Sequence, residues 1–161
     1  VERLLRLDWA VDQSLRGALT GLNLGSSAPV IFRALVESTA FGSRRIVERF
    51  ESEGVPIEEI IALGGVAKKS PFVMQTLADV HNRPIKVARS EQTCALGAAM
   101  FAAGAAGEYS TVDDAIERME SGFEREYRPD SGRAAIYDRL YKKYIRLGEF
   151  AESETRRERN R

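Results

Sequence analysis

The amino-acid sequence predicts a helix-rich α/β fold built around a short parallel sheet. Two short apolar runs, at residues 59–63 and 84–88, lie between turn-forming residues, and a helical pattern follows each of them. The order strand, helix, strand, helix is typical of parallel strands joined by crossover helices. Helical patterns outnumber strand patterns along the rest of the chain, so we expect helices to dominate.

The composition favours a single domain with no general attraction for polyanions. The chain has 161 residues, with 24 Lys and Arg against 24 Asp and Glu, so its formal net charge is zero. A balanced charge gives no broad electrostatic pull towards nucleic acid or anionic membranes. Cys94 is the one cysteine, no apolar run approaches the roughly 18 residues of a membrane span, and the N-terminus does not resemble a signal peptide. We therefore expect a cytoplasmic protein without nucleic-acid or membrane partners.

The first third of the chain predicts one long helix after a loop. Residues 1–9 have a helical pattern, and residues 17–29 have the glycine, serine and proline content of a loop. Residues 28–53 then repeat apolar side chains at helical spacing. That apolar face consists of Ile31, Ala34, Leu35, Gly42, Ile46 and Phe50. Gly54 is expected to end the helix, and Pro56 prevents an immediate restart.

Capping residues predict the helices that follow the two strands. Ser70 can cap a helix with its side chain and Pro71 then takes the first helical position, so we expect a helix to about Asn82. Thr93 caps a second helix, which is expected to run to Gly107.

The C-terminal third predicts two more helices, at residues 111–120 and 132–151. A stripe of tyrosine, leucine and isoleucine lines one face of the second, and such a stripe is usually packing rather than a binding surface. Residues 152–161 are almost all charged or polar, so we expect a disordered tail. The expected domain therefore covers residues 1–151.

The strongest chemical signal is the turn after the first strand. Residues 63–70 read Leu-Gly-Gly-Val-Ala-Lys-Lys-Ser and lead from a strand into a helix. Paired glycines let a backbone approach a flat or anionic ligand closely, and a helix start offers unpaired N–H groups. Open α/β sheets bind ligands at the carboxyl ends of their strands, where this turn is expected. The turn is a candidate nucleotide site; the alternative is a tight turn that needs positive φ angles.

Other residues give weaker signals. The turn matches neither a Walker A loop, which needs glycine directly before its lysine, nor the G-x-G-x-x-G pattern. His81 is the one histidine, so we expect a partly exposed helix-end residue rather than a metal ligand or triad member. Cys94 lies at a predicted helix start, and we expect it to be a small buried apolar residue.

The helix after Thr93 is unusually rich in small residues, because alanine and glycine make up most of residues 95–107. Such a helix can lie almost in contact with a neighbouring backbone. Two interpretations stay open: close packing inside one rigid domain, or a helix near a hinge where two domains slide past each other.

Together these motifs resemble the C-terminal domain of the FGGY carbohydrate kinases, in the actin-like ATPase superfamily. Residues 63–79 are similar to the family's adenosine motif, and Thr-Cys-Ala-Leu-Gly-Ala-Ala at residues 93–99 is similar to a second element. Residues 17–37 resemble a third signature, from which Val30 and Leu35 depart. The resemblance covers nearly the whole chain and implies a partial actin-like (ribonuclease H-like) domain with C-terminal helices.

The resemblance implies transfer of a phosphoryl group from ATP to a sugar hydroxyl, with Mg²⁺ held mainly by other parts of the kinase. Gly64 and Gly65 would line the adenosine, with Val66 beside them. Ser70 falls where the family often has an asparagine near the purine and ribose, and Lys69 is its neighbour. A serine at that position puts the family's polar contact in question.

The resemblance further implies that the chain is a piece of a kinase. The family's catalytic aspartate and sugar pocket lie N-terminal to any segment present here, so we expect no catalytic residue, no metal ligand and no activity from this chain alone. Related sequences also carry a polar segment between Trp9 and Asp12, which is missing here.

Within the family, residues 20–24, 28–29, 39–42 and 62–67 are most similar to kinases of ketopentoses, with L-ribulose as the expected sugar. Two alternatives stay open. One is a kinase for another sugar, such as xylulose, and the other is a non-catalytic actin-like module that binds a nucleotide. A homo-oligomer is compatible with each of these.

Overall fold

The computed structural model describes residues 17–159, and its helices and strands follow the predicted order with two additions. The elements are α1 (Ala28–Ser52), β1 (Ile60–Ala62), α2 (Gly65–Lys69), α3 (Pro71–His81), β2 (Ile85–Ala88), α4 (Thr93–Ala105), α5 (Val112–Met119), β3 (Phe123–Tyr127) and α6 (Ser131–Arg159). The short helix α2 and the strand β3 are the additions. The predicted helix at residues 1–9 and the junction between Trp9 and Asp12 lie outside the described residues.

The three strands form one mixed sheet in the order β1, β2, β3. β1 and β2 are parallel, with Ile60 opposite Ile85, which confirms the predicted parallel pair. β3 is antiparallel to β2, with Tyr127 opposite Ile85, so the sheet contains one strand beyond the predicted parallel pair. β3 escapes prediction because it is an edge strand of charged and aromatic residues, with every residue except Tyr127 exposed, and it lacks an apolar run.

Helix α3 covers one face of this sheet and forms the first hydrophobic cluster. Met74 and Ala78 of α3 pack with Ile85 and Val87 of β2 and with Tyr127 of β3. All of these side chains are buried. Because burial of apolar surface is the dominant favourable contribution to folding, this cluster fixes the sheet against α3.

A second cluster joins α1, α3 and α6. Phe41 of α1 lies with its ring centroid 6.1 Å from that of Tyr137 and 5.8 Å from that of Tyr141, both on α6. Val80 of α3 and Ala40 of α1 complete the buried group. The predicted packing role of the tyrosine stripe is therefore confirmed.

A buried carboxylate links α3 to the start of α6. Asp79 is 2% exposed. Its Oδ1 accepts hydrogen bonds from Gln75 Nε2 at 2.9 Å and from the Asp130 backbone N–H at 2.8 Å. Its Oδ2 accepts from Arg133 Nε at 2.6 Å. We call these four residues the Asp79 cluster. It satisfies a carboxylate that would otherwise be costly to bury.

The ends of the helices follow their predicted signals except at the C-terminus. α1 ends at Ser52, and Gly54 follows with a φ of +86°. α6 was expected to end at residue 151, but it continues to Arg159. Ion pairs between residues one turn apart, Arg156 with Glu152 among them, accompany this extension. The predicted disorder of residues 152–161 and the domain boundary at 151 stay predictions.

Helix α4 is mostly exposed in the described structure. Among residues 93–105, Met100 is the one that is buried. A Cβ placed on Gly97 would meet no described atom within 4 Å beyond its own helix and neighbours. The close packing that its small residues suggested is therefore absent at Gly97 within residues 17–159, and the hinge interpretation stays a hypothesis. None of the helices described in residues 17–159 combines the length and apolar character that crossing a bilayer requires.

Candidate functional site at the carboxyl edge of the sheet

The candidate site lies where the two parallel strands end. Residues 63–70, which we call the glycine turn, follow β1, while residues 89–92 follow β2 and lead into α4. Because β1 and β2 are parallel, both connections leave the same edge of the sheet. Open α/β sheets bind ligands at this edge. The predicted place of the turn in the fold is confirmed.

The two glycines of the turn have different backbone conformations. Gly64 has a φ of +88° and a ψ of −178°, a region that is essentially restricted to glycine. Gly65 begins α2 and does not have a positive φ. The tight-turn requirement therefore applies to Gly64 alone. At both positions an added Cβ would meet no atom of residues 17–159 within 4 Å, chain neighbours aside, so the space beside them is open.

Helix α2 is fixed to the core on one side and exposed on the other. Ala67 is 5% exposed and belongs to the cluster beneath α3. Val66 is 62% exposed, Leu63 is 52% exposed, and Gly65 and Lys69 are also exposed. Val66 and Leu63 therefore place apolar surface beside the open backbone of Gly65. Apolar surface next to accessible backbone suits one side of a flat heterocycle.

Ser70 has a structural task of its own. Its Oγ accepts a hydrogen bond from the Val73 N–H at 3.4 Å, which confirms the predicted side-chain cap of α3. A hydroxyl that accepts at a cap keeps its O–H as a donor. Ser70 is half-buried, so that donor is the group with which it could contact a ligand.

Sequence analysis missed Lys68, although it is the most constrained basic residue of the turn. Its Nζ donates to the backbone carbonyl of Arg89 at 2.6 Å and lies 3.3 Å from a carboxylate oxygen of Glu124. Only 18% of its side chain is exposed. Glu124 lies on β3, the strand that sequence patterns did not predict, so no local signal identified this contact.

His81 and Cys94 both differ from their sequence expectations. His81 is 8% exposed rather than partly exposed, and its Nε2 lies 3.1 Å from Ser43 Oγ. Burial, followed by the positive charges of Arg44 and Arg83, lowers the pKa of His81 to about 4, and the negative charge of Glu48 opposes this shift only in part. Cys94 is exposed at the start of α4 rather than buried. Met100 is the one buried residue of α4, so the start of this helix does not belong to the described core.

Within residues 17–159, the glycine turn is exposed at Gly65, Val66 and Lys69. Two grooves of about 310 and 380 Å³ lie elsewhere, one between residues 57–60 and 83–86 and one between α1 and α6, and the turn lines neither. Within residues 17–159, His, Cys, Asp and Glu side chains form no group of three or more that could hold a metal ion. The turn can thus form one side of a ligand site, with the other side supplied by residues outside it.

Comparison with known proteins gives a family and close relatives. Residues 8–106 match the FGGY family of carbohydrate kinases, C-terminal domain. The chain is 44% identical to a ribulokinase of Bacillus licheniformis over 155 residues, which cover 89% of this chain and 28% of that protein. It is 49% identical to a ribulokinase of Vibrio parahaemolyticus over 141 residues, which cover 88% of this chain and 25% of that protein.

Among solved structures, the xylulose kinase of Rhodospirillum rubrum superimposes with a TM-score of 0.77 at 28% identity. That match covers 90% of this chain and 29% of the kinase chain. The expected partial actin-like fold is confirmed by this neighbour. The chain spans about a quarter of the length of the curated relatives that it matches.

Proposed function

We propose that this chain, which belongs to the FGGY family of carbohydrate kinases, supplies the adenosine-side wall of the ATP site in a sugar kinase. It would form the C-terminal nucleotide-binding part of that enzyme. The observation that carries the proposal is the glycine turn. It combines a glycine-only conformation at Gly64 with an open approach to the backbone of Gly65, at the ligand-binding edge of the sheet.

In this proposal the residues of the turn hold the nucleotide and leave the chemistry to other parts of the kinase. Gly64 and Gly65 let the adenosine approach the backbone, and the exposed side chain of Val66 covers part of the ring. Ser70 offers its O–H and Lys69 its charge near the ribose. Phosphoryl transfer depends on positioning and on electrostatic stabilisation, so a fixed adenosine orients the phosphates for the reaction.

The reaction proposed for the whole kinase is transfer of the γ-phosphoryl group of ATP to a hydroxyl of a ketopentose. Mg²⁺ bound mainly by other segments would neutralise charge on the phosphates. None of residues 17–159 is assigned as catalytic base or metal ligand, so this chain alone should be inactive. L-ribulose is the favoured sugar, because the ribulokinase relatives are 44% and 49% identical to this chain, against 28% for the xylulose kinase neighbour. A cytoplasmic location and homo-oligomerisation belong to the same proposal.

A chimaera tests whether the chain acts as part of a kinase. In it, this chain replaces the matching segment of the Bacillus licheniformis ribulokinase, to which it is 44% identical. We expect ATP-dependent phosphorylation of L-ribulose, whereas the same ribulokinase without the segment should be inactive. A folded chimaera that binds ATP but transfers no phosphoryl group would favour the non-catalytic module. A folded chimaera that binds no ATP would contradict the proposal.

The sugar needs a separate experiment, because the host enzyme supplies the sugar pocket of the chimaera. The full-length protein that carries this chain should be assayed with L-ribulose, D-ribulose, L-xylulose and D-xylulose. We expect the highest kcat/KM with L-ribulose. A clear preference for D-xylulose would transfer the assignment to the alternative sugar kinase and leave the ATP site untouched.

A further inference from the structure

We propose that Lys68 is a positioning residue that holds the glycine turn in its ligand-binding conformation, an inference that rests on the proposed function. Its side chain points away from the exposed face of α2 and connects that helix to the ends of two strands. Lys68 thereby differs from its neighbour Lys69, which is exposed.

Both partners of Lys68 are held in place by other contacts. Its Nζ donates to the carbonyl of Arg89, directly after β2, at 2.6 Å. The backbone N–H of Arg89 donates to the Gly122 carbonyl at 3.0 Å, and its side chain donates to the Phe123 carbonyl at 3.2 Å. The Arg89 carbonyl therefore belongs to a connection that is tied to β3. The second partner, Glu124, lies on β3 itself.

Helix α2 depends on the contacts of Lys68 for its position. It has five residues, and isolated helices of that length are unstable in water. Ala67 is the one α2 side chain that is buried, and a methyl group provides little packing energy. Within residues 17–159, the ion pair and the hydrogen bond of Lys68 are the remaining side-chain link between α2 and the sheet edge. Loss of that link should let Gly65 and Val66 move.

The positive charge of Lys68 is already paired with groups of the protein. Its ammonium group lies between a carbonyl and a carboxylate, and its side chain is 18% exposed. One of its N–H groups donates to the Arg89 carbonyl, and its positive charge is paired with the Glu124 carboxylate. Lys68 therefore acts on the nucleotide through the conformation of the turn rather than as a phosphate ligand.

The test compares Lys68→Met with Lys142→Met, an exposed lysine on α6, in the chimaera with the Bacillus licheniformis ribulokinase. We expect Lys68→Met to raise KM for ATP by about fivefold to tenfold, with KM for L-ribulose within about twofold. Lys142→Met should change neither. Lys68→Arg keeps the charge and should restore most of the ATP affinity. An unchanged KM for ATP in a folded Lys68→Met chimaera would overturn the inference.

Glu124→Gln separates positioning from direct phosphate binding. If Lys68 positions the turn, weakening its partner should raise KM for ATP by about twofold to threefold. If Lys68 were a phosphate ligand, release from Glu124 should lower KM for ATP instead. Competitive inhibition of the Lys68→Met chimaera by ADP and by adenosine gives the same distinction. If Lys68 positions the turn, the substitution should weaken the binding of both inhibitors by the same factor. A loss of affinity for ADP alone would overturn the inference.

A measurement on the full-length protein that carries this chain keeps the inference testable if the chimaera is inactive, an outcome that would count against the proposed function alone. Amide hydrogen exchange of Lys68 and Ser70, whose N–H groups donate to the Gly64 and Val66 carbonyls, should accelerate by about tenfold in Lys68→Met and remain unchanged in Lys142→Met. Circular dichroism should show the same helix content in both variants. Equal exchange in these variants would overturn the positioning role without reference to ATP.

Discussion

The two ends of helix α3 lie in opposite environments. At its start, the glycine turn exposes Gly65, Val66 and Lys69. At its end, Asp79, Val80 and His81 are all buried. The turn depends on local backbone conformation and on one lysine, whereas the buried end depends on side chains from three helices. Substitutions in the buried end should therefore lower the stability of the chain, and substitutions in the turn should change ligand binding first.

The largest expected effect comes from Asp79→Ala. The change removes three hydrogen bonds from a buried carboxylate and separates α3 from the start of α6. We expect the free energy of unfolding to fall by about 3–4 kcal/mol. The loss should not be larger, because Arg133 is half-exposed and water can hydrate its charge when the carboxylate is removed. Urea denaturation measures this loss. Asp113→Ala, an exposed carboxylate on α5, is the control and should cost about 0.5 kcal/mol or less.

Protonation of His81 should give the next largest effect. Its pKa is about 4 in the folded chain against an ordinary 6.5, so the unfolded chain binds the proton more readily between these values. The stability that this residue contributes is complete above pH 6.5 and is lost as the pH falls towards 4. We expect that loss to lower the free energy of unfolding by on the order of 2–3 kcal/mol. The measurement is urea denaturation at pH 7 and pH 4.5. Because carboxylates also titrate there, the comparison is with His81→Gln, which should lose less stability.

The paired glycines allow a smaller test within the turn itself. Gly64→Ala places a side chain at a φ of +88° and should lower the free energy of unfolding by about 1–2 kcal/mol. Gly65→Ala lies in a helical conformation and should change stability by about 0.5 kcal/mol or less. Thermal denaturation of the two variants measures the difference. Equal losses would contradict the assignment of the turn conformation to Gly64.

The smallest effect on this chain should come from Gly97→Leu. No described atom beyond its own helix and neighbours lies within 4 Å of the added Cβ, so the overpacking cost of roughly 1–3 kcal/mol should be absent. Leucine is also a better helix former than glycine, so the melting temperature should stay constant or rise slightly. In the chimaera, a hinge role would change kcat and KM together. Unchanged kinetics there would leave α4 without a hinge function.

Sequence patterns predicted the features that depend on neighbouring residues. The Ser70 cap, the parallel pair of β1 and β2, and the place of the glycine turn follow from short-range signals. Features that depend on distant contacts were missed. β3 has no apolar run, and its Glu124 is the residue that reveals Lys68. The burial of His81 results from α1 and α3 packing together, which no local spacing could indicate.

The same contrast explains what the sequence could not distinguish in the candidate site. Paired glycines look equivalent in a sequence, yet Gly64 alone has the unusual φ, while the space beside both glycines is open. Their roles separate only when the backbone is known. Ser70 was predicted correctly as a helix cap, while its contact with a nucleotide stays part of the proposal.

Gly65→Val in the chimaera is the most direct test of the adenosine-side wall. Valine is compatible with the helical backbone of Gly65, so the chain should fold, and its side chain would fill the open approach. The account predicts that KM for ATP rises by about tenfold while KM for L-ribulose stays within about twofold. Circular dichroism checks the fold. An unchanged KM for ATP in the folded variant, or an equal rise in both constants, would contradict the account.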